Sequence, residues 1–306
     1  MWNRAPFPSR CLWLLLAALL AGGCAAKQNQ FGQQVQRIND VSVQGQKSFS
    51  KGDLKKASKN FNRALSLSRS VDYPQGAAQQ LNNLGAVALE EGDFPQARDL
   101  FTQAYQLNLE HGQWAAASIN QANLATVAQK EGKWGEASGY LLAALDAAQH
   151  SGSSVARARV YLQWASFYLD QHDLAAAQDF LNRARPLATT PALRGDFNHH
   201  WGRLALARGN TAQALARFTA ALETDRAILD RAAMASDLLY LGEAYQARGE
   251  LAQAWDHYAR AFDVYAGLGK KPQLSKCLKR LKEVNLQGQL GHSLKRFEKL
   301  ARPSPS

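Results

Sequence analysis

The chain has 306 residues, of which 46% are hydrophobic and 20% charged, with a formal net charge of +11. This apolar fraction excludes an intrinsically disordered protein, and the length is sufficient to bury a large core. After the first two dozen residues, no apolar run reaches the roughly 18 residues that a transmembrane helix needs. Abundant Ala and Leu with sparse Pro favour an all-helical fold.

Residues 1 to 23 have the pattern of an export signal. Arg4 and Arg10 supply positive charge, residues 11 to 20 form a short apolar run, and small residues lead into Cys24. This stretch resembles a bacterial lipoprotein signal peptide, in which the Cys is lipidated and becomes the new N-terminus. The resemblance implies a lipid anchor at Cys24. The alternative is an ordinary cleaved signal peptide, followed by release into the periplasm.

Cysteine usage agrees with export of a protein without disulfides. Residues 24 to 37 form a polar, Gln-rich tether, and once Cys24 is lipidated the mature chain keeps a single thiol at Cys277. A lone Cys on an apolar helical stripe is typical of a small core residue, so we predict that Cys277 packs in the core. The pattern predicts neither a metal site nor a cofactor.

Residues 38 to 268 consist of six repeats. Each has a turn residue between two amphipathic helical stripes, at intervals of 40 residues except for one interval of 37. Small residues lie seven positions before and five after each turn, and a large residue lies nine after it. The turn positions are Gly52, Gly92, Gly132, His172, Gly209 and Gly249.

This spacing resembles the tetratricopeptide repeat. The sixth unit is nearest to it, with Leu238, Leu241, Gly242, Tyr245 and Tyr258 at the expected places. The resemblance implies a right-handed α-solenoid of six helical hairpins, with units longer than the usual 34 residues. A solenoid needs an end cap. We therefore predict amphipathic capping helices in residues 269 to 302, followed by a disordered tail at 303 to 306.

The search for catalytic chemistry returns no established motif, so the sequence predicts a protein that is not an enzyme. Ser48 and Lys51 have SxxK spacing but lack companion motifs. His199 and His200 are adjacent, so on a helix they point about 100° apart and do not readily ligate one metal. His200 occupies an inner-face position, where it could contact a ligand. The plainer interpretation is a partly exposed helical His.

Asparagines give the most informative functional signal. Residues 81 to 85, LNNLG, resemble the stretch of kinesin light chain and related scaffolds that places Asn amides on the concave face, where they bind a peptide backbone. An amide serves both the N–H and the C=O groups of an extended peptide. A solvated polar face is the alternative. The predicted groove residues are Asn82, Asn83, Asn123, Thr126, Gln129, Lys130, Gln163 and His200.

Most of the positive charge lies at the C-terminus. Residues 270 to 306 contain ten Lys or Arg and two Glu, which leaves the body of the chain close to neutral. A solvated face, attraction to anionic lipid and docking to an acidic protein remain open, whereas nucleic acid is disfavoured. The predicted basic tail includes Lys276, Lys279, Arg280, Lys282, Lys295 and Arg296.

Together these features predict a lipid-anchored scaffold that binds protein or peptide partners through its concave groove. Ala25 after the anchor favours the periplasmic face of the outer membrane, with release into the periplasm as the alternative. By resemblance to other lipidated repeat proteins, its expected role is in envelope assembly, secretion or pilus machinery. The alternative function is that of an envelope structural protein acting through its basic C-terminal helices.

Overall fold

The computed structural model describes residues 30 to 301, and every regular element in that range is a helix. The predicted signal peptide, Cys24 and the tail after residue 301 lie outside the described residues. Within that range, no helix is long and apolar enough to cross a membrane.

Six hairpins of an odd-numbered and an even-numbered helix follow one another. The pairs are α1 (30–49) with α2 (Leu54–Ser70), α3 (Pro74–Glu91) with α4 (Phe94–Glu110), α5 (Trp114–Lys130) with α6 (Trp134–His150), α7 (Ser154–Asp170) with α8 (Leu174–Ala184), α9 (Pro191–Ala207) with α10 (Thr211–Ala227), and α11 (Arg231–Ala247) with α12 (Leu251–Gly267). Helices α13 (Lys271–Gln287) and α14 (Lys295–Ala301) complete the described chain. The predicted all-helical solenoid is confirmed.

Local chemistry explains each hairpin turn. Gly92 ends α3 in a left-handed conformation with φ of 81°, and the side chain of Asp93 then accepts a hydrogen bond from the N–H of Gln96 at the start of α4. His172 takes the glycine's place in the fourth unit with φ of 59°. The turn residues predicted from sequence therefore mark the hairpin bends.

The small and large positions meet where two helices of a hairpin cross. A Cβ added to Gly85 would lie 2.7 Å from the ring of Phe101, and one added to Gly202 would lie 2.6 Å from the ring of Phe218. Both rings are fully buried. The aromatic ring therefore packs directly against the glycine, and this close contact sets the crossing of the two helices.

The odd-numbered helices lie on the inner side of the solenoid. Helices α5, α7, α9 and α11 contact one another in series. Elements at the smaller radius of a curved stack approach more closely than those at the larger radius. The inner helices therefore line the concave groove, as the resemblance implies.

Two boundaries differ from the sequence pattern. Residues 30 to 37, assigned to the tether, already belong to α1, and Phe31 packs edge-on against Tyr73 with ring centroids 6.1 Å apart. In the fourth unit, α8 ends at Ala184 and continues as a 3-10 turn over Arg185–Leu187. Pro186 lies in this turn, which accommodates the shortened repeat.

The two ends of the repeat array meet, a feature that the sequence analysis did not predict. A Cβ added to Gly52 in the first turn would lie 1.9 Å from the carbonyl oxygen of Leu268, at the end of the sixth unit. Lys270 forms an ion pair with Glu90, and its Nζ lies 5.7 Å from the ring centroid of Phe49. The solenoid therefore closes into a ring.

Candidate functional site

The predicted groove residues lie in two separate cavities of about 350 Å³ each. The asparagine cavity is lined by Asn82 and Asn83, together with Gln75, Ala78, Gln79, Asn108, Gln113, Ala116, Ile119 and Asn120. The glutamine cavity is lined by Thr126, Gln129, Lys130, Gln163 and His200, together with Trp134, Ser166 and Asp170. The remaining predicted residue, Asn123, bridges toward the first cavity through Asn82.

In the asparagine cavity, the amides mostly bind one another. Asn82 Oδ1 accepts hydrogen bonds from Nδ2 of Asn120 at 2.9 Å and from Nδ2 of Asn123 at 2.8 Å. Asn108 Nδ2 donates to Asn120 Oδ1 at 2.7 Å. Asn83 donates to Gln80 at 3.3 Å. These bonds tie the second unit to the third, so Asn82 and Asn123 hold the units together in addition to bordering the groove.

In the glutamine cavity, three polar atoms from three consecutive units lack a partner. Gln129 Nε2, Gln163 Oε1 and His200 Nδ1 are buried, and no described residue forms a hydrogen bond with them. An unpaired buried donor or acceptor costs roughly 1 to 3 kcal/mol. Three side chains that line the cavity therefore carry polar atoms whose hydrogen-bonding capacity is unmet.

The charges around the glutamine cavity are unevenly distributed. Arg203 donates to Asp170 at 2.5 Å and to Ser166 at 3.1 Å, so the Asp170 carboxylate is compensated. Burial lowers the pKa of His200 well below its ordinary value, so this imidazole is neutral at neutral pH. Lys130 adds a positive charge at the rim. An aromatic wall is supplied by Trp134, which is 38% exposed.

His199 faces away from this cavity. Its Nδ1 lies 2.7 Å from Oδ1 of the buried Asp237, in the contact between the fifth and sixth units. The two adjacent histidines therefore have different roles, and within residues 30 to 301 no cluster of His, Cys, Asp or Glu is arranged to hold a metal ion. Sequence reasoning selected His200 and missed Asp237. A signal was present, because the 38 residues that separate His199 from Asp237 also separate Asn82 from Asn120.

Five of the six predicted basic-tail residues form ion pairs with carboxylates. Glu243 lies 3.3 Å from both Lys276 and Arg280, and Glu298 lies 2.8 Å from Lys282. The other pairs are Arg280 with Glu283, Lys279 with Glu283, and Arg296 with Asp263. These pairs reduce the net charge that the segment presents at its surface. Lys295 begins α14.

Cys277 is fully buried in α13 and forms no disulfide. Burial raises the pKa of its thiol to about 12, so the thiolate is not populated at neutral pH. Its predicted role in packing agrees with this environment. Cys24 lies outside the described residues.

Comparison with known proteins identifies the type of repeat. A tetratricopeptide repeat family model matches residues 48 to 110. No curated protein sequence matches the chain. The family match extends from the end of α1 to the end of α4, and the remaining units share their architecture.

Solved structures give the same fold. The Rap conjugation gene regulator of plasmid pLS20 in complex with the Phr* peptide has a TM-score of 0.67 at 16% identity, covering 88% of this chain and 73% of that one. A Rap protein complexed with Competence and Sporulation Factor has a TM-score of 0.54 at 13% identity, covering 85% and 75%. BtubC (BKLC) from P. vanneervenii has a TM-score of 0.53 at 18% identity, covering 71% and 92%. At these identities the likeness shows the fold.

Proposed function

We propose that this protein is a non-enzymatic scaffold that binds an extended peptide segment of a partner protein in the glutamine cavity of its concave groove. The observation that carries the proposal is the set of three unpartnered polar atoms on Gln129, Gln163 and His200. They come from three successive inner helices. A ligand that spans these helices satisfies all three.

An extended peptide fits this arrangement because its backbone presents N–H and C=O groups at regular intervals. Gln163 Oε1 accepts from a peptide N–H, and Gln129 Nε2 donates to a peptide C=O. Trp134 offers an apolar surface for a side chain beside these groups. The structural neighbour in complex with the Phr* peptide supports the proposal, since it shares the fold.

The test is binding of a peptide library by the Gln129→Ala, Gln163→Ala double variant. We expect a loss of binding of about tenfold or more, since two backbone hydrogen bonds are removed. The matched control is Gln213→Ala, Gln253→Ala on the outer helices α10 and α12, where both side chains are exposed. Equal binding by both double variants would contradict the groove assignment.

We also propose that the scaffold is anchored by lipid at Cys24 on the periplasmic face of the outer membrane, where it serves envelope assembly, secretion or pilus machinery. The support is the lipoprotein-like pattern of residues 1 to 24. The Cys24→Ala variant should lose its acyl mass and move to the soluble fraction. Unchanged membrane fractionation and unchanged mass would reject the anchor.

The alternative function through the basic C-terminal helices is less well supported. Five of the six predicted cations are paired with carboxylates of the same chain, and this pairing weakens attraction to lipid headgroups. The test is partner capture by a chain that lacks residues 270 to 306. Loss of capture in this deletion, together with retained capture by the Gln129→Ala, Gln163→Ala variant, would support the alternative.

A further inference from the structure

Three structural positions recur at several of the contacts between neighbouring units. One lies ten residues before the turn of a unit, one lies sixteen after that turn, and one lies twelve before the turn of the next unit. Between units two and three they hold Asn82, Asn108 and Asn120, which bond to each other as neutral amides.

Between units five and six, the same positions hold His199, Asp225 and Asp237. Both carboxyl groups are buried, with relative exposures of 4% for Asp225 and 0% for Asp237. Gly195 makes room for this arrangement, because an added Cβ there would lie 2.3 Å from Oδ1 of Asp225. The amide triad of one contact is thus replaced by ionisable groups in another.

Hydrogen bonding leaves one atom of this triad without a donor. His199 Nδ1 lies 2.7 Å from Oδ1 of Asp237, whereas Oδ2 of Asp237 is buried and has no partner in the described chain. Asp225 interacts directly with Asp237. Two neighbouring buried carboxylates repel each other, but a proton on one of them supplies the missing O–H donor.

The surrounding charges do not compensate two carboxylates. Arg203 on α9 and Arg159 on α7 contribute positive charge to the neighbourhood, whereas Asp196 and Asp230 contribute negative charge. Burial raises the pKa of Asp225 and that of Asp237 to about 8, and it lowers the pKa of His199 to about 4. The other titratable groups facing the triad are His200 on α9 and Tyr240 and Tyr265 on α11 and α12.

We propose that a proton shared between Asp225 and Asp237 holds unit five against unit six, and that its loss above neutral pH loosens this contact. The O–H of one carboxyl donates to the other, and Asp237 also accepts from His199. When the proton leaves, two buried negative charges face each other across α10 and α11.

The sign of the expected pH effect follows from proton binding. The folded pair holds its shared proton up to about pH 8, whereas the unfolded chain releases it near 4, so stability falls as pH rises through this interval. His199 acts in the opposite direction between about pH 4 and 6.5, because its folded pKa is lowered. Above about pH 6.5 the carboxyls therefore supply most of the change. The thiol of Cys277, whose pKa burial raises to about 12 from about 8.5 in the unfolded chain, adds a smaller fall in the same direction near pH 9.

A loosened contact affects the closure of the ring. Unit six ends at Leu268, whose carbonyl oxygen meets Gly52 of unit one. Displacement of unit six relative to unit five therefore separates these two ends.

The test is urea unfolding of the full chain at about pH 6.5 and about pH 9. We expect the wild-type midpoint to fall on the order of 1 M over this interval, whereas Asp225→Asn, Asp237→Asn should show no such fall. The matched control is Asp146→Asn, Asp256→Asn, since both of these aspartates are exposed. A double variant that falls as steeply as the wild type would overturn the proposal.

A second measurement covers the case in which the variant does not fold. Selective 13C labelling of Asp side-chain carboxyls in the wild-type chain reports their protonation directly by NMR. We expect at least one carboxyl signal to titrate above pH 7. Titration of every aspartate below pH 5 would overturn the proposal.

Discussion

The contact between units two and three and the contact between units five and six use the same geometry with different chemistry. Asn82, Asn108 and Asn120 form neutral hydrogen bonds, while the corresponding side chains at the other contact are His199, Asp225 and Asp237. The amide contact binds the same number of protons at all ordinary pH values, whereas the carboxyl contact does not. A repeat fold can therefore vary the response of one contact without changing its shape.

A third chemistry completes the comparison. Between units three and four the same positions hold Ala122, Ala148 and Val160, all of them buried. Apolar side chains serve this contact without any hydrogen bond. Polar triads are therefore not required by the fold, and where they occur they add directional bonding to the packing.

The largest expected loss of stability comes from removing the buried aromatic ring that units two and five have in common. Phe101→Ala and Phe218→Ala each remove a fully buried ring that packs against a helical glycine, and each should cost about 4 kcal/mol of unfolding free energy. Because no ionisable group is removed, the losses should be similar at about pH 6.5 and pH 9. Urea unfolding measures them, and a loss that depends strongly on pH would show that the packing and the triads are not separate.

Transplanting the carboxyl pair should transfer the pH response. The Asn108→Asp, Asn120→Asp variant places two buried carboxyls between units two and three, and we expect a loss of about 3 kcal/mol at pH 9 with a smaller loss at pH 5. Unfolding at the two pH values checks this. A loss that is equal at both would mean that the surroundings of Asp225 and Asp237, rather than the pair itself, create the response.

Removing the shared acceptor of the amide contact should have a moderate effect. Asn82→Ala leaves the Nδ2 groups of Asn120 and Asn123 without their acceptor, so we expect a loss of about 2 kcal/mol that does not change with pH. Asn62→Ala is the control, since its side chain is exposed and bonds within its own helix. An equally small effect in both variants would show that water replaces the lost acceptor.

The smallest expected effect lies in the joints beside the two triads. Leu229 has φ of 60° where the other joint has Gly112 at 65°, and its side chain is 80% exposed. A left-handed conformation costs a residue with a Cβ roughly 1 to 2 kcal/mol. Leu229→Gly should therefore stabilise the chain by about 0.5 kcal/mol, after the entropy loss of Gly is included, and Gly112→Leu should destabilise it. Thermal unfolding measures both, and a loss in both variants would reject a strained Leu229.

Much of the architecture was predictable because it depends on local spacing. The turn at Gly92 is confirmed, and both this turn and the contact between Gly85 and Phe101 are set by residues within one unit. The repeat period alone reveals the turn and the positions of the small and large residues in each unit. The sequence alone was therefore sufficient for the hairpins and for their order.

The site was only partly predictable because it depends on contacts between units. Gln129, Gln163 and His200 do share a cavity, but Asn82 lies in another and is occupied by hydrogen bonds to its neighbours. A helical pattern places a residue on a face without saying which residue of the next unit it meets. The ring closure at Gly52 was missed for a related reason, since it depends on the curvature accumulated over six units.

The most direct test of the difference between the two contacts is hydrogen exchange at two backbone amides in one molecule. The N–H of Asp230 donates to the carbonyl of Asp225 at 2.9 Å, and the N–H of Gln113 donates to the carbonyl of Asn108 at 2.7 Å. After correction for intrinsic rates, we predict that protection at Asp230 falls between about pH 6.5 and pH 9 while protection at Gln113 stays constant. Equal changes at both amides would contradict the claim that the two contacts respond differently to pH.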